Sequence, residues 1–427
     1  MPSSAIRRLE IAGESSYMSR GSDGEPTIDG LNFESVELAN ATSVVAIGNT
    51  QTLDVDTSSG GFGHVPGEAL MDPVSGLPVR SGSMSIEFYL RGGLQTAKKG
   101  LRRLLSSRLK TTSASASVGS ASVSTAGVVT VSTALGSGKF DAYTLPDGRV
   151  TYGITTNSSG AVTPATQHDT GYTGRGITAT SGTSLLSQWE QPSSGGDPIP
   201  LGSGTVALRL TGDGWQQVCF GCAMTALTIT ADGDGRAIKC TATVDCPYVA
   251  DIPMEDIVDP DWPTVTEGPV LHSLGSPLLC YDSQATGDNP TWDEAYCVAS
   301  WTLTMTWTTA GSACGSFWAG RAPLEATALD TTLQMTIGHP SDISRDFFAG
   351  AWQGGHKISI TLPFGGDLSS GASPRPWGGA IVIPAAYVSN GDVLIPDLGS
   401  DAIQTTVELK AGQPASSTLP LIMLGLI

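Results

Sequence analysis

Charged and aromatic residues are scarce in this chain of 427 residues: charged side chains make up 15% of it and aromatic ones 6%. Basic residues are the rarer charge, with 22 Lys and Arg against 40 Asp and Glu, and the formal net charge is -18. Residues 251–427 carry 19 acidic and only 5 basic side chains. Such an acidic surface argues against a protein that grips nucleic acid through its phosphates, but not against one past which DNA slides without sticking.

Long apolar segments are also missing. No apolar run approaches the roughly 20 residues of a membrane-spanning helix, and the N-terminal MPSSAIRRLEIAGESS lacks the apolar core of a signal peptide. We therefore expect no membrane span. The final LPLIMLGLI is apolar but too short to cross a bilayer, and we expect it to pair as a strand or to dock on a neighbouring subunit.

Residue patterns that carry catalysis or hold metals are sparse. The five histidines are scattered, with no H-E-x-x-H or comparable pair. The chain contains neither a phosphate-binding loop nor a G-x-S-x-G nucleophile elbow. Asp232-Gly-Asp-Gly235 opens like a calcium loop but lacks the later ligands, so we interpret it as a turn. We expect neither an enzyme nor a bound cofactor or metal.

The seven cysteines form no even framework, which favours reduced thiols in a cytoplasmic setting. Cys219, Cys222, Cys240 and Cys246 fall close together and superficially resemble a structural zinc site, and Cys219-x-x-Cys222 has the spacing of a redox pair. On a continuous strand, however, Cys219 and Cys222 would point to opposite faces. We favour buried strand cysteines over both alternatives.

What the sequence has in abundance is glycine, proline, serine and threonine, with 53 Gly and 26 Pro. This composition suits many short strands joined by turns, so we predict a mostly β protein. Residues 219–246 read as a hairpin with one buried face and the turn at Asp232–Gly235. In residues 297–309 Trp, Leu and Met alternate with Thr, which is typical of a core-facing stripe rather than a carbohydrate-binding surface.

Two amphipathic helices stand out. The first spans Leu94–Leu109, and its other face is basic. The second begins at Ser341 and stops at Gly354-Gly355. The basic face is either solvated and paired with carboxylates of the chain or a contact with an acidic subunit surface. It comprises Lys98, Lys99, Arg102, Arg103, Arg108 and Lys110.

An alternating strand, a glycine-containing turn and an amphipathic helix occur in this order twice. The economical interpretation is a duplicated domain, with two unrelated β-rich domains as the alternative. We predict a first β domain at 1–250, a linker at 251–270 and a second β domain at 271–427. Residues 111–138 and 155–205 are expected to form loops and short exposed strands. The long Gly/Pro-rich loop at 58–83 is expected to contact another chain.

This order of parts resembles the tail tube (major tail) proteins of long non-contractile-tailed bacteriophages. The resemblance lies in the strand, long loop, strand and helix of residues 52–109 and in CFGCAMTALTITADGDGRAIKCTATV, which is similar to the paired core strands of tail-tube domains. It implies two β-sandwich or half-barrel domains, each with a flanking helix. It also implies rings with a continuous β-barrel lumen, which stack into a tube that conducts the genome into the host.

Two domains in one chain imply homotrimeric rings that imitate a hexamer. The implied location is the virion tail, assembled in the host cytoplasm. The implied partners are further copies of the chain, the tape measure, terminator and tip proteins, and double-stranded DNA that passes without specific binding. The predicted subunit contacts are Phe62, His64, Val65, Met71, Lys98, Lys99, Arg102, Arg103, Leu424 and Ile427.

Two alternatives remain open at this point. The chain could be a distal tail, tail tip or tail terminator protein of the same ancestry, which closes one ring rather than polymerising. It could also be an adhesive glycan-binding β protein, which would expose aromatic residues in a groove.

Overall fold

The computed structural model describes residues 6–14, 17–18, 28, 31–36, 82–90, 100–115, 120–123, 129–131, 140–144, 150–155, 161–164, 176–178, 183–189, 205–212, 215–232, 236–251, 270–272, 277–282, 294–310, 325–338, 348, 351–355, 357–365, 378–390, 404–412 and 421–426. Strands dominate these residues, which confirms the prediction of a mostly β fold.

The elements follow in chain order: β1 (Ile6–Gly13), β2 (Glu34–Val36), β3 (Gly82–Tyr89), α1 (Gly100–Ser106), β4 (Lys110–Ser115), β5 (Ser120–Val123), β6 (Val129–Val131), β7 (Phe140–Thr144), β8 (Val150–Thr155), β9 (Ala161–Pro164), β10 (Gly176–Thr178), β11 (Thr183–Trp189), β12 (Val206–Gly212), β13 (Trp215–Ala231), β14 (Lys239–Cys246), β15 (Tyr248–Asp251), β16 (Pro277–Asp282), β17 (Glu294–Ala310), β18 (Glu325–Gly338), β19 (Ile358–Gly365), β20 (Gly378–Val388), β21 (Gln404–Ala411) and β22 (Ile422–Leu426). Residues 348 and 351–354 are helical.

Two long strands organise the larger sheet. Both β13 and β17 have 17 residues, and each changes partners along its length. The first half of β13 lies between β12 and β15, and its second half lies between β14 and β17. The first half of β17 pairs with β16, and its second half lies between β13 and β18. The predicted hairpin of residues 219–246 is confirmed as β13 and β14.

The strands of the second half of the chain pair in a closed circuit. The circuit runs from β17 through β16, β19, β20, β21 and β18 back to β17. Its interior holds the predicted Trp and Met stripe of β17, all of it buried, and the ring of Trp301 lies 5.8 Å from that of Phe364. Strict alternation along β17 therefore does mark a core-facing stripe.

The larger sheet connects the two predicted domains. Residues Ala226–Ala231 of β13 pair with Trp301–Thr306 of β17, and β11 pairs with the C-terminal strand β22. The apolar C-terminus is thus a strand between β11 and β20, one of the two predicted outcomes. The division at 251–270 stays a prediction, because residues 252–269 lie outside the described residues.

Helix α1 packs on the apolar face of the sheet. Leu101, Leu104 and Leu105 are each 1% exposed and belong to the same core as β3, β13 and β14. The helix ends at Ser106 rather than continuing to Leu109. The prediction that Arg108 lies on the exposed helix face is therefore wrong: beyond the last helical turn the spacing no longer applies, and Arg108 is buried.

The second predicted helix ends where the sequence indicates. Ala351 is buried, and the N–H of Gly355 donates to the carbonyl oxygen of Trp352. Gly355 has a φ of 63°, a left-handed conformation that favours glycine at a helix end.

Residues 120–178 contain a second, smaller sheet inserted into the chain. Its six strands pair in the order β10-β5-β6-β9-β8-β7. The chain leaves the main sheet along β4 and returns along β11. These two strands pair with each other, and Ser115 and Thr183 form the last residue pair before the insert. The short strands predicted for 111–138 and 155–205 are present. The prediction did not anticipate that strands of this region pair into one sheet, because pairing between segments is not encoded in local apolar alternation.

This topology predicts that the insert can be removed. Replacing residues 116–182 with Asn-Gly joins Ser115 to Thr183 through the two-residue turn that suits paired strands. Because a shorter loop costs less closure entropy, we expect the thermal unfolding midpoint not to fall. Far-UV circular dichroism and differential scanning calorimetry would measure this.

A matched control joins the same turn to Ala114, which shifts the β4 register by one residue and should lower the midpoint. Aggregation or unfolding of the in-register excision alone would show that the insert is integral to the core.

Candidate functional site

The most extended polar feature of the structure is one face of a six-stranded layer. This layer consists, in order, of β3, β14, the second half of β13, the second half of β17, β18 and β21, all antiparallel. One of its faces is buried in the core. We call the other the hydroxyl face, because most of its side chains are Thr or Ser, half-buried or exposed.

The hydroxyl face is built in straight rows across the strands, since the register places one residue from each strand side by side. The central row consists of Glu87, Thr241, Thr228, Thr304, Thr332 and Lys410. The next row consists of Tyr89, Lys239, Thr230, Thr302, Gln334 and Glu408. Lys239 and Glu87 form an ion pair at 2.8 Å. In these two rows the threonines occupy the four inner strands, and the four charged residues lie on β3, β14 and β21.

The two borders of this layer differ. Within the described part of the chain, β3 pairs on one side only, with β14. The N–H of Leu90 donates to the carbonyl oxygen of Ile238. Because the backbone N–H groups of successive strand residues point to opposite sides, those of Met84, Ile86 and Phe88 point toward β14. The N–H groups of Ser83, Ser85 and Glu87 point away from it. At the other border, Asn390 donates to the carbonyl oxygen of Thr406 and accepts from the N–H of Glu408, as a neighbouring strand would.

A bend interrupts β13 at Gly221, where its partner changes from β15 to β14. Gly221 has a φ of 66°, and a Cβ there would lie 2.7 Å from Tyr17. The bend leaves the Gly221 N–H without a strand partner, and the carboxylate of Glu14 accepts it at 3.0 and 3.2 Å. Burial raises the pKa of Glu14 to about 7, outweighing the hydrogen bonds from Gly221, Thr205 and Met18 that act to lower it.

A second irregularity follows between Met224 and Ala226, where the β14 register shifts. The end of α1 satisfies the exposed backbone groups. The Met224 N–H donates to Ser107 Oγ at 3.3 Å, and the Met224 carbonyl accepts from Arg108 Nε at 2.6 Å. Burial lowers the pKa of Arg108 to about 10, while nearby Asp245 opposes the shift, so the guanidinium stays charged at neutral pH.

Three cysteines meet at the Gly221 bend. The sulfur of Cys219 accepts hydrogen bonds from the thiols of Cys222 and Cys246, and all three residues are buried. The expectation that Cys219 and Cys222 point to opposite faces is thus wrong, because the left-handed Gly221 turns the strand between them. Their burial, and that of Cys240, is confirmed. In the described part of the chain, no group of three or more His, Cys, Asp or Glu side chains is arranged to hold a metal ion.

Of the ten predicted contact residues, the structure describes the side chains of Arg103 and Leu424. Arg103 turns into its own chain, where it donates to the carbonyl oxygens of Ile11 at 3.5 Å and of Asn32 and lies 3.6 Å from Glu34. Leu424 is 2% exposed. The other eight side chains lie outside the description: Phe62, His64, Val65, Met71, Lys98, Lys99, Arg102 and Ile427.

Sequence reasoning missed the features that shape this layer. It did not anticipate the roles of Glu14, Ser107 and Arg108 at the β13 irregularities, since their partners lie 207, 117 and 116 residues away in sequence. A signal for Gly221 was present, because a glycine inside a strand pattern often marks a bulge.

The chain matches no protein-family model and no curated protein sequence. Nor does the described part of it include a helix of the length and apolar character needed to cross a membrane.

Replacing Gly221 with Ala should destabilise the protein more than replacing Gly355. Both glycines are left-handed, which costs a Cβ-bearing residue about 1–2 kcal/mol, but a Cβ meets nothing within 4 Å at Gly355. At Gly221 it meets Tyr17, Pro247 and Met18, so we expect roughly 1–3 kcal/mol of additional loss from overpacking. Urea unfolding of both variants measures the difference. Equal losses of unfolding free energy in the two variants would mean that the residues around Gly221 accommodate an added methyl group without strain.

Glu14→Gln should change the pH dependence of stability. Because the folded pKa of Glu14 is raised from 4.5 to about 7, the folded chain holds the proton more tightly. The contribution of Glu14 to stability is therefore complete below pH 4.5 and is lost as the pH rises through about 7. We expect the free energy of unfolding of the variant, relative to that of the native chain, to rise by up to about 3 kcal/mol across this pH range. Urea unfolding at several pH values measures it; a constant difference between pH 5 and 8 would contradict the assignment.

Proposed function

We propose that this chain is a structural subunit of a bacteriophage tail tube, which assembles edge to edge into stacked rings and forms a conduit for the genome. The observation that carries the proposal is the six-stranded layer. Its apolar face is covered by the chain's own core, its hydroxyl face is left polar, and among the residues that the structure describes no second strand pairs with β3, so that border offers backbone groups for a further strand. A sheet border of this kind either invites uncontrolled pairing or is closed by a designated partner.

Lateral addition of a second copy is geometrically consistent with this layer. Beyond β21 the sheet continues within the same chain, because β20 pairs with residues 409–411 and Asn390 binds the backbone of Thr406 and Glu408. A second copy would therefore add at the β3 border, where one of its strands can pair with β3 in the antiparallel sense.

The two long strands support a ring of three chains. β13 and β17 have equal length, run antiparallel beside each other, and each exchanges one set of partners for another near its middle. This is the arrangement expected if each half of the chain contributes one tube domain to a shared wall. Three such chains would supply six domains.

The hydroxyl face suits the inner wall of a conduit. Threonine hydroxyls are uncharged, and the two named rows contain two lysines: Lys239, which is already paired with Glu87, and Lys410 on the outermost strand β21. The face therefore offers DNA phosphates few fixed cations to bind. DNA would pass without specific contacts. In the assembled tail, the tube would end on terminator and tip proteins and enclose a tape measure protein.

Electron microscopy of the concentrated native chain tests the proposal directly. We expect hollow tubes of stacked rings, with three chains per ring by mass measurement of the soluble form. Single closed rings would instead favour a terminator or tip protein, and a persistent monomer would overturn the assembly function.

Ser85→Pro should block assembly without unfolding the chain. The Ser85 amide points away from β14, so proline removes a donor only from the open border. We expect a folded chain that sediments as a monomer in analytical ultracentrifugation. Ser85→Ala keeps the amide and should assemble like the native chain. Tubes formed by the proline variant would show that the β3 border is not the contact.

A further inference from the structure

The three thiols at the Gly221 bend form a cluster that the proposed assembly does not use. Cys219 and Cys222 flank Phe220 and the left-handed Gly221, and Cys246 is the last residue of β14, opposite the bend. The three are 0%, 0% and 2% exposed. The register of β13 with β14 and β15 thus brings residues from two strands to one point in the core.

The sulfur of Cys219 is the centre of this cluster, because it accepts hydrogen bonds from both other thiols. These bonds hold the pKa of Cys219 well below its usual range against the opposing effect of burial. Burial raises the pKa of the Cys222 thiol, and the bond to Cys219 raises that of Cys246. The arrangement thus keeps three thiols within hydrogen-bonding reach of one another at one point of the core, and a disulfide between two of them requires such closeness.

Cys240 provides an internal comparison. It lies on the same hairpin and is 1% exposed, but burial is the one influence that raises its pKa. A buried thiol without sulfur neighbours behaves as a small hydrophobe. Any chemistry that depends on the cluster should therefore leave Cys240 unchanged.

We propose that Cys219, Cys222 and Cys246 form an oxidisable thiol site, in which Cys219 forms a disulfide with Cys222 or Cys246 when a peroxide reaches the bend. The inference is independent of the proposed assembly, since it depends on the fold of one chain.

The reaction is balanced with hydrogen peroxide as the oxidant. The Cys219 thiolate attacks one peroxide oxygen, an S–O bond forms, the O–O bond breaks, and hydroxide leaves and takes up a proton as water. The second thiol loses its proton and attacks the Cys219 sulfenic acid, the S–S bond forms, and the S–O bond breaks with release of a second water. Two thiols are oxidised and one peroxide is reduced.

Peptide mapping of the native chain tests the site. The folded protein is incubated with hydrogen peroxide, quenched with catalase, unfolded in iodoacetamide and digested without reductant. We expect a disulfide-linked species that contains Cys219, a mass lower by about 2 Da than that of the paired thiols, and full alkylation of Cys240.

Three variants sharpen the result. Cys219→Ala should abolish the disulfide, Cys222→Ala should leave the bond between Cys219 and Cys246, and Cys240→Ala should oxidise like the native chain. Oxidation to sulfinic acid alone, a disulfide without Cys219, or unchanged thiols in the native chain would each overturn the proposal. The native peptide map decides the matter even where a variant does not fold.

Discussion

The architecture depends on satisfying the backbone of β13 where it passes from one set of partners to another. A strand that bends inside a core exposes N–H and C=O groups that no ladder can pair, and each unpaired buried group costs about 1–3 kcal/mol. Glu14 covers the break at Gly221, and Ser107 with Arg108 covers the one at Met224. β1 and α1 are thereby fixed to the same strand that joins both halves of the sheet.

This dependence explains why charged groups are buried in a chain with so few charges. The Glu14 carboxyl and the Arg108 guanidinium lose hydration, and their pKa values shift in the directions that burial dictates. Backbone hydrogen bonds offset part of that cost. The hydroxyl face is the opposite case, because there threonine supplies polarity and strand preference together without a buried charge.

Local patterns were sufficient to predict strand composition, the buried stripe of β17, the hairpin of β13 and β14, and the stop of the second helix at Gly355. Each depends on spacing within a few residues. Other features depend on pairings between distant segments, which periodicity does not encode. These are the closed circuit of strands, the insert that the paired strands β4 and β11 connect to the main sheet, and the contact of Cys219 with Cys246. Arg108 was misplaced because it lies two residues past the end of α1, where helical spacing no longer determines the face on which a side chain lies.

The border at β3 has a consequence for any closed ring in which every copy uses it. Because such a ring repeats one head-to-tail contact, the β3 border of each copy meets a different surface of the next copy, and no copy is turned over. All copies then share one orientation. A closed ring of them has two chemically different rims, so a stack of such rings has a direction, with a distinct entrance and exit.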